Sequence, residues 1–379
     1  MNRAILLVAI CAAIVGVSYG MHAPIVPVFA REQLAADYSQ VGLIGMVNFL
    51  PYMFAPFFVG ILLDRLNKSY MLVSGMLLNV FAIFMLSTAE SVPEVMFYRV
   101  LTGVAHALFW PSAEVLISTN SPPDKRVKGI SIFIASWILG FMVGPLIGKL
   151  VLDAFDFAML FQIAAAIMAA GVVPSVLLRR YAWPAVQKDL EVRASTVQIA
   201  RELTAHPTLS SVILNYALTF GVVLAVLPAY MSEASLTSQD IEILFFVFGV
   251  SRFATLLMVP KIASRGVLAL ALAVAATAIA MLLSFAFASI LSFAISIALV
   301  GFATSIFYPV TFNMVTRDTP SGQIGAKLGV YNTLFGAGWT AGPIVAGFSS
   351  DAFGSGSPYF AFFVVGTILA ASIVVVKRR

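Results

Sequence analysis

Charge is scarce in this sequence: Asp, Glu, Lys and Arg make up only 10% of it, against roughly 25% in a soluble domain. That scarcity excludes an ordinary water-facing globule, because too few polar side chains remain to cover one. Cysteine is scarcer still. The single Cys11 falls in an apolar stretch, so a disulfide framework is excluded and the redox compartment leaves no mark. No Walker phosphate loop occurs, which excludes ATP hydrolysis as the energy source, and no metal-ligand cluster or nucleophilic triad stands out. Enzyme chemistry, a cofactor and a resident metal are therefore not expected.

What fills the chain is hydrocarbon: 61% of residues are hydrophobic and the mean hydropathy is +1.00. Apolar runs of about 18 or more residues imply membrane helices. Twelve such runs can be read, at 4–29, 39–63, 70–88, 93–118, 130–152, 157–178, 208–231, 239–260, 266–285, 289–315, 325–349 and 358–376. The expected fold is an all-α polytopic membrane protein with twelve transmembrane helices. The one long gap, 179–207, divides it into an N-terminal half (1–178) and a C-terminal half (208–379). Within that linker, "VRASTVQIARELTA" (192–205) sets Val192, Val197, Ile199 and Leu203 among charges, the pattern of a segment lying along a membrane surface.

The basic start and apolar core of residues 1–20 have the look of a signal peptide. The apolar run continues to Phe29, however, which is too long for one. Most Lys and Arg fall on one side when the loops are assigned alternately. Examples are Arg65 and Lys68, then Lys125, Arg126 and Lys128, then Lys377, Arg378 and Arg379. The positive-inside rule then places both termini and the linker in the cytoplasm. The pI of about 9.3 is a consequence of that topology, so nucleic acid is not an expected partner.

The sequence also repeats itself. "GFMVGPLIGKLVLDAF" (140–155) returns as "GWTAGPIVAGFSSDAF" (338–353), with Gly140/Gly338, Gly144/Gly342, Pro145/Pro343, Asp153/Asp351, Ala154/Ala352 and Phe155/Phe353 identical. "GVAHALFWP" (103–111) pairs with "GFATSIFYP" (301–309), and Gly20 and Pro27 pair with Gly221 and Pro228. The pattern implies a six-helix unit duplicated in parallel. Such repeats mark transporters, with the site near the midplane between pseudo-symmetric halves.

At these residues the chain resembles the major facilitator superfamily over essentially its whole length. "GILLDRLNKSY" (60–70) is similar to that family's Gly-x-Leu-x-Asp-Arg-x-Gly-Arg/Lys signature, with Gly60, Leu62, Asp64, Arg65 and Lys68 in place. Asn67 stands where glycine is usual, and Asn tolerates the left-handed backbone of a tight turn. "RVLTGVAHA" (99–107) resembles the Arg-x-x-x-Gly motif of the fourth helix. "GFMVGPLIGK" resembles the fifth-helix Gly-x-x-x-Gly-Pro-x-x-Gly-Gly motif, common in exporters that exchange substrate for protons, with Lys149 replacing the last glycine. The resemblance implies a secondary active transporter working by alternating access. It implies that Asp64 docks on the N-terminus of the eleventh helix, where partial positive charge attracts a carboxylate. It also places the fifth and eleventh helices, with Gly140, Gly144, Pro145, Gly338, Gly342 and Pro343, at the seam where the halves rock.

Ionisable residues within membrane spans default to functional hypotheses. The fourth run carries Arg99, His106, Trp110 and Glu114 on one helical face, and the resemblance turns that face to the cavity. Arg99 has snorkelling to the interface as its competing role. The repeat partners of Arg99, His106 and Glu114 are Ile297, Thr304 and Phe312, so the polar face departs from the repeat. Arg252 lies mid-way along the eighth run, with Glu242 as an acid of the same half, at the outer end. Tyr19, His22, Asn48, Tyr52, Asn215, Tyr216, Tyr308, Tyr331, Asn332 and Trp339 supply further hydrogen bonds and stacking surface. Two arginines and two histidines against Glu114 make an electropositive site, which favours an anionic or neutral polar solute. Proton-coupled symport or exchange of an organic anion is the expected function, with Glu114 and His106 carrying the proton. Drug–proton antiport, as the fifth-helix motif suggests, is the alternative, and sugars or nucleosides are other candidate solutes. A non-transporting receptor would not need polar residues along one midplane face. The expected partners are the small-molecule substrate, protons and lipid, and the protein is expected to act as a monomer.

Overall fold

The computed structural model describes residues 2–122, 125–181, 201, 205, 207–263, 265–316 and 324–378. At 55–65, 127, 260, 263, 313, 315–316, 324–330 and 374–378 it describes the backbone alone. Most of the 179–207 linker, with its expected surface helix, lies outside the described residues. So do the side chains of Asp64 and Arg65, and Gly60 lies in the same backbone-only stretch.

The described residues form fourteen helices and no strand. The first seven are α1 (Arg3–His22), α2 (Ile25–Leu34), α3 (Tyr38–Arg65), α4 (Lys68–Leu86), α5 (Val92–Asn120), α6 (Arg126–Ala154) and α7 (Phe157–Leu178). The second seven are α8 (Pro207–Ala225), α9 (Leu227–Glu233), α10 (Ser238–Ala263), α11 (Val267–Ala286), α12 (Ile290–Thr316), α13 (Ile324–Phe353) and α14 (Ser357–Arg378). Nine spans among the described residues are long and apolar enough to cross a membrane, and α1 and α2 together make the first, Arg3–Leu34. The expected first and seventh runs are each broken in two. Pro27 and Pro228 lack the N–H that would bond the carbonyl four residues back, and the helix parts just before them.

Contacts divide the chain into two compact units. One comprises Met1–Ala36, Val47–Lys188 and Thr237–Gly249; the other comprises Asp37–Met46, Asp189–Leu236 and Val250–Arg379. In the first, α1 packs on α6 and α7, and α4 packs on α5 and α7. In the second, α8 packs on α13 and α14, and α11 packs on α12 and α14. Adding seven to each label maps one set onto the other, so the duplication visible in the sequence is also a duplication of packing.

Glycine explains the closest of these pairings. A Cβ on Gly140 would overlap the Ala13 carbonyl oxygen, and one on Gly144 the Val17 carbonyl oxygen. From the α1 side, Gly16 and Gly20 face the Trp137 and Phe141 carbonyl oxygens in the same way. Two small-xxx-small faces therefore interlock, which brings the backbones within van der Waals reach. Gly338 and Gly342 do the same against Ala217 and Leu218 of α8. The matched motifs thus each serve a helix pair inside one unit, α1–α6 and α8–α13.

The aspartates that end the repeated motif serve different ends. Asp351 accepts hydrogen bonds from the backbone N–H of Tyr38 (3.1 Å) and Ser39 (2.7 Å) and so caps α3. Asp153 instead pairs with Lys149, one turn back on α6. Asn67 differs from expectation: its backbone is extended (φ −67°, ψ 122°), not left-handed. Its side chain accepts from Ser69 N–H at 2.9 Å, so it is the N-cap of α4, and Lys68 begins that helix.

Candidate functional site

In the first unit, α1, α3 and α5 bring seven of the named side chains together. The Tyr19 hydroxyl faces the Arg99 guanidinium and the Asn48 amide. Its ring meets His106 edge-on with centroids 5.2 Å apart and His22 at 5.6 Å. Tyr52 lies on the other side of His106, at 6.4 Å, and its hydroxyl faces the Trp110 indole. Thr102 is an unanticipated member: its hydroxyl donates to Asn48 Oδ1 at 2.8 Å, which fixes the amide. Asn79 of α4 is another, with its side-chain nitrogen 3.2 Å from His106 Nε2.

Arg99 does not snorkel. It is 4% exposed, and its Nε and Nη1 have no hydrogen-bond acceptor among the described residues. A buried guanidinium with idle donors is costly unless something else satisfies it. His22 is fully buried; its Nδ1 lies 2.6 Å from the Ser18 carbonyl one turn back, and its Nε2 has no partner among the described residues. Trp110 continues into an aromatic row through Trp137 (5.5 Å) to Phe141 (5.5 Å), which closes on Tyr19 at 6.1 Å. Glu114, one turn beyond Trp110, is exposed. The four α5 residues thus grade from a buried guanidinium to an open carboxylate.

The second unit gathers a cluster of rings beside Arg252. Tyr216 stacks on Phe307 with centroids 3.8 Å apart and planes 8° from parallel. Phe335 meets both rings edge-on and reaches Trp339 at 5.8 Å, while Phe220 reaches Trp339 at 5.9 Å. Tyr308 is 41% exposed and touches Tyr331 and Phe335. Tyr331 is buried and shares a 2.7 Å hydrogen bond with Thr311. Arg252 is half-buried near Tyr216, and its carbonyl accepts from Ser305 at 2.7 Å. Asn215 is buried with Oδ1 unpartnered among the described residues, and Asn332 is exposed.

Phe220, Phe307 and Phe335 escaped the sequence reading because a phenylalanine in an apolar helix carries no polar signal. Thr102 and Asn79 escaped because each acts by orienting another residue. The repeat partners of the polar α5 face are a buried Ile297, a Thr304 bonded to its own helix at Gly301, and an exposed Phe312. Among the described residues no group of His, Cys, Asp and Glu is arranged to hold a metal.

The sequence is similar to an uncharacterized MFS-type transporter of Methanocaldococcus jannaschii, 21% identical over 346 residues, covering 90% of this chain and 89% of that protein. It is also similar to the multidrug resistance protein MdtG of Yersinia enterocolitica, 24% identical over 260 residues, covering 66% of this chain and 62% of that protein. In fold it resembles the crystal structure of the nucleoside transporter NupG, with a TM-score of 0.79 and 16% identity, covering 100% of this chain and 100% of that one. The profile of the Major Facilitator Superfamily matches residues 8–289 and 209–379. This chain is a multi-pass membrane transporter and belongs to the Major Facilitator Superfamily.

Proposed function

We propose that this transporter moves a small organic anion by alternating access, coupled to protons by symport or exchange. It does so as a monomer in the cytoplasmic membrane, with both termini inside. One observation carries the anion preference: the buried Arg99 guanidinium with two donor nitrogens unmatched, beside Tyr19 and His106. A carboxylate or phosphate takes bidentate hydrogen bonds from such a group. The aromatic row around Trp110, beside Arg99 and His106 in the same unit, supports an organic solute, since apolar walls with a few placed polar groups are the usual form of a small-molecule site. Glu114 is the favoured proton carrier, and His106 the second.

Proteoliposomes test this reading. Radiolabelled mono- and dicarboxylates and organophosphates should accumulate when a pH gradient is imposed, and Glu114→Gln should lose accumulation while keeping counterflow. A second reading has its own support. The likeness to a protein named for multidrug resistance, together with the fifth-helix motif, favours efflux of lipophilic drugs in exchange for protons. Proton-driven uptake of lipophilic cations into inverted vesicles, with no anion transported, would replace the first reading by the second.

A further inference from the structure

Glu242 belongs to neither cluster, yet it is 0% exposed and neither carboxyl oxygen has a hydrogen-bond partner among the described residues. It projects from the second turn of α10 onto the backbone of α6. A Cβ on Gly148 would overlap Glu242 Oε1 and would lie 2.7 Å from its Cδ. Three further contacts lay the same stretch of α10 along α6. Gln239 Nε2 donates to the Leu152 carbonyl at 2.8 Å, and Gly249 would place a Cβ 2.7 Å from Met142 Cα. Phe248 meets Phe141 at 5.7 Å. All these residues lie within one compact unit.

The charged groups around this contact are committed elsewhere. On α6, Lys149 pairs with Asp153. On α10, Asp240 accepts from the Thr237 hydroxyl at 2.7 Å. On α1, which packs on α6, His22 lies against the Ser18 carbonyl, and on α2 Arg31 donates to the Ala36 carbonyl. None of these contacts gives Glu242 a counter-charge.

Packing alone does not call for a carboxyl here. The repeat supplies the comparison. Asp37 and Gln40 exchange hydrogen bonds at the start of α3, as Thr237 and Asp240 do at the start of α10. That register places Glu242 opposite Gly42, which sits directly on the Pro343 carbonyl of α13 with no side chain at all. In the first unit the glycine has moved to the α6 side and the room it leaves is filled by an acid. An ionised carboxylate buried without a donor or counter-charge is strongly disfavoured, and a bound proton removes the charge.

We propose that Glu242 is a proton-binding residue of the transport cycle, holding a proton while seated on Gly148 and yielding it to water when the α6–α10 contact parts. In that step the carboxyl O–H bond breaks, water takes the proton as hydronium, and the carboxylate is left solvated. The inference rests on the proton-coupled reading above but adds a carrier distinct from Glu114 and His106, one whose protonation state is tied to a helix contact.

The test uses the full chain in lipid nanodiscs with no substrate present. Cys11→Ala removes the native thiol, and spin labels are placed at Leu150 of α6 and Ile243 of α10, both exposed. Pulsed dipolar spectroscopy then reads their separation across pH. The expected result is a longer separation as pH rises, abolished by Glu242→Gln, which holds the short distance throughout. Gly148→Ala should hold the long distance throughout. Infrared difference spectra should show a protonated-carboxyl band at low pH that Glu242→Gln removes. Identical distance profiles in the parent and Glu242→Gln, or a carboxyl band unaffected by that substitution, would overturn the proposal. Because no solute is involved, a failure here leaves the anion reading standing, and a failure of anion binding leaves this one standing.

Discussion

Gly144→Ala should destabilise the protein by an amount its surroundings set. The new methyl group would overlap the Val17 carbonyl oxygen, and Met21 N and Gly20 C would lie at 2.8 and 3.0 Å. All three are backbone atoms, so no rotamer change relieves the clash. Helices α1 and α6 must instead separate, which undoes the reciprocal seats at Gly16, Gly20 and Gly140 as well. Overpacking a tight interior costs typically 1–3 kcal/mol. At roughly 2–4 °C per kcal/mol for a folded unit of 150–250 residues, the apparent unfolding midpoint should fall by about 2–12 °C. Gly356→Ala is the control, because its nearest neighbours are Phe285 ring carbons at 3.3 and 3.6 Å, which can yield. The assay is thermal unfolding of purified protein in one detergent at one scan rate, since membrane protein unfolding is often kinetically controlled. Equal midpoints for Gly144→Ala, Gly356→Ala and the parent would refute the claim that backbone contact through these glycines sets the α1–α6 pairing.

Other expectations follow from single contacts. Arg99→Ala should weaken anion binding by about 10- to 150-fold, the equivalent of a charged hydrogen bond worth roughly 1.5–3 kcal/mol, and Arg99→Lys should recover only part of it; calorimetric titration reads both. Arg252→Lys should impair transport despite keeping the charge, measured as initial rates in proteoliposomes. Paired Glu114→Gln and His106→Gln variants should flatten the pH dependence of transport, and an unchanged profile in both would remove these residues from the coupling role. Asp351→Ala should destabilise the protein by about 1 kcal/mol through the lost α3 cap, read as a lower unfolding midpoint, while Asp153→Ala, which breaks an exposed i,i+4 pair with Lys149, should change it little.

Long apolar runs and an internal repeat made the helical, duplicated architecture legible, because both are one-dimensional patterns. The same patterns hid the breaks at Ala23 and Val226, since proline in an apolar run leaves hydropathy unchanged while removing a backbone donor. At the site, Arg99, His106, Tyr19 and Asn48 were readable as polar residues in hydrocarbon, and the structure gathers them around Tyr19. What the sequence could not order was their environment. Arg99 had snorkelling as a competing role, and Glu242 was passed over as a residue at a helix end. Whether a charge at the end of an apolar run reaches water or lies against a glycine depends on the helix beside it. Asn67 shows the converse: its residue type suited two backbone conformations, and capping α4 decided between them.

The account stands or falls on the charge of the solute. Thermal shift of the purified parent protein and of Arg99→Ala, with matched panels of organic anions, neutral polar solutes and lipophilic cations, tests it most directly, because a ligand that binds only the native state raises apparent stability. The account predicts that at least one anion class raises the midpoint of the parent protein and not of Arg99→Ala, while lipophilic cations raise neither. Stabilisation by lipophilic cations, equal in the two proteins and without any anion effect, would contradict it.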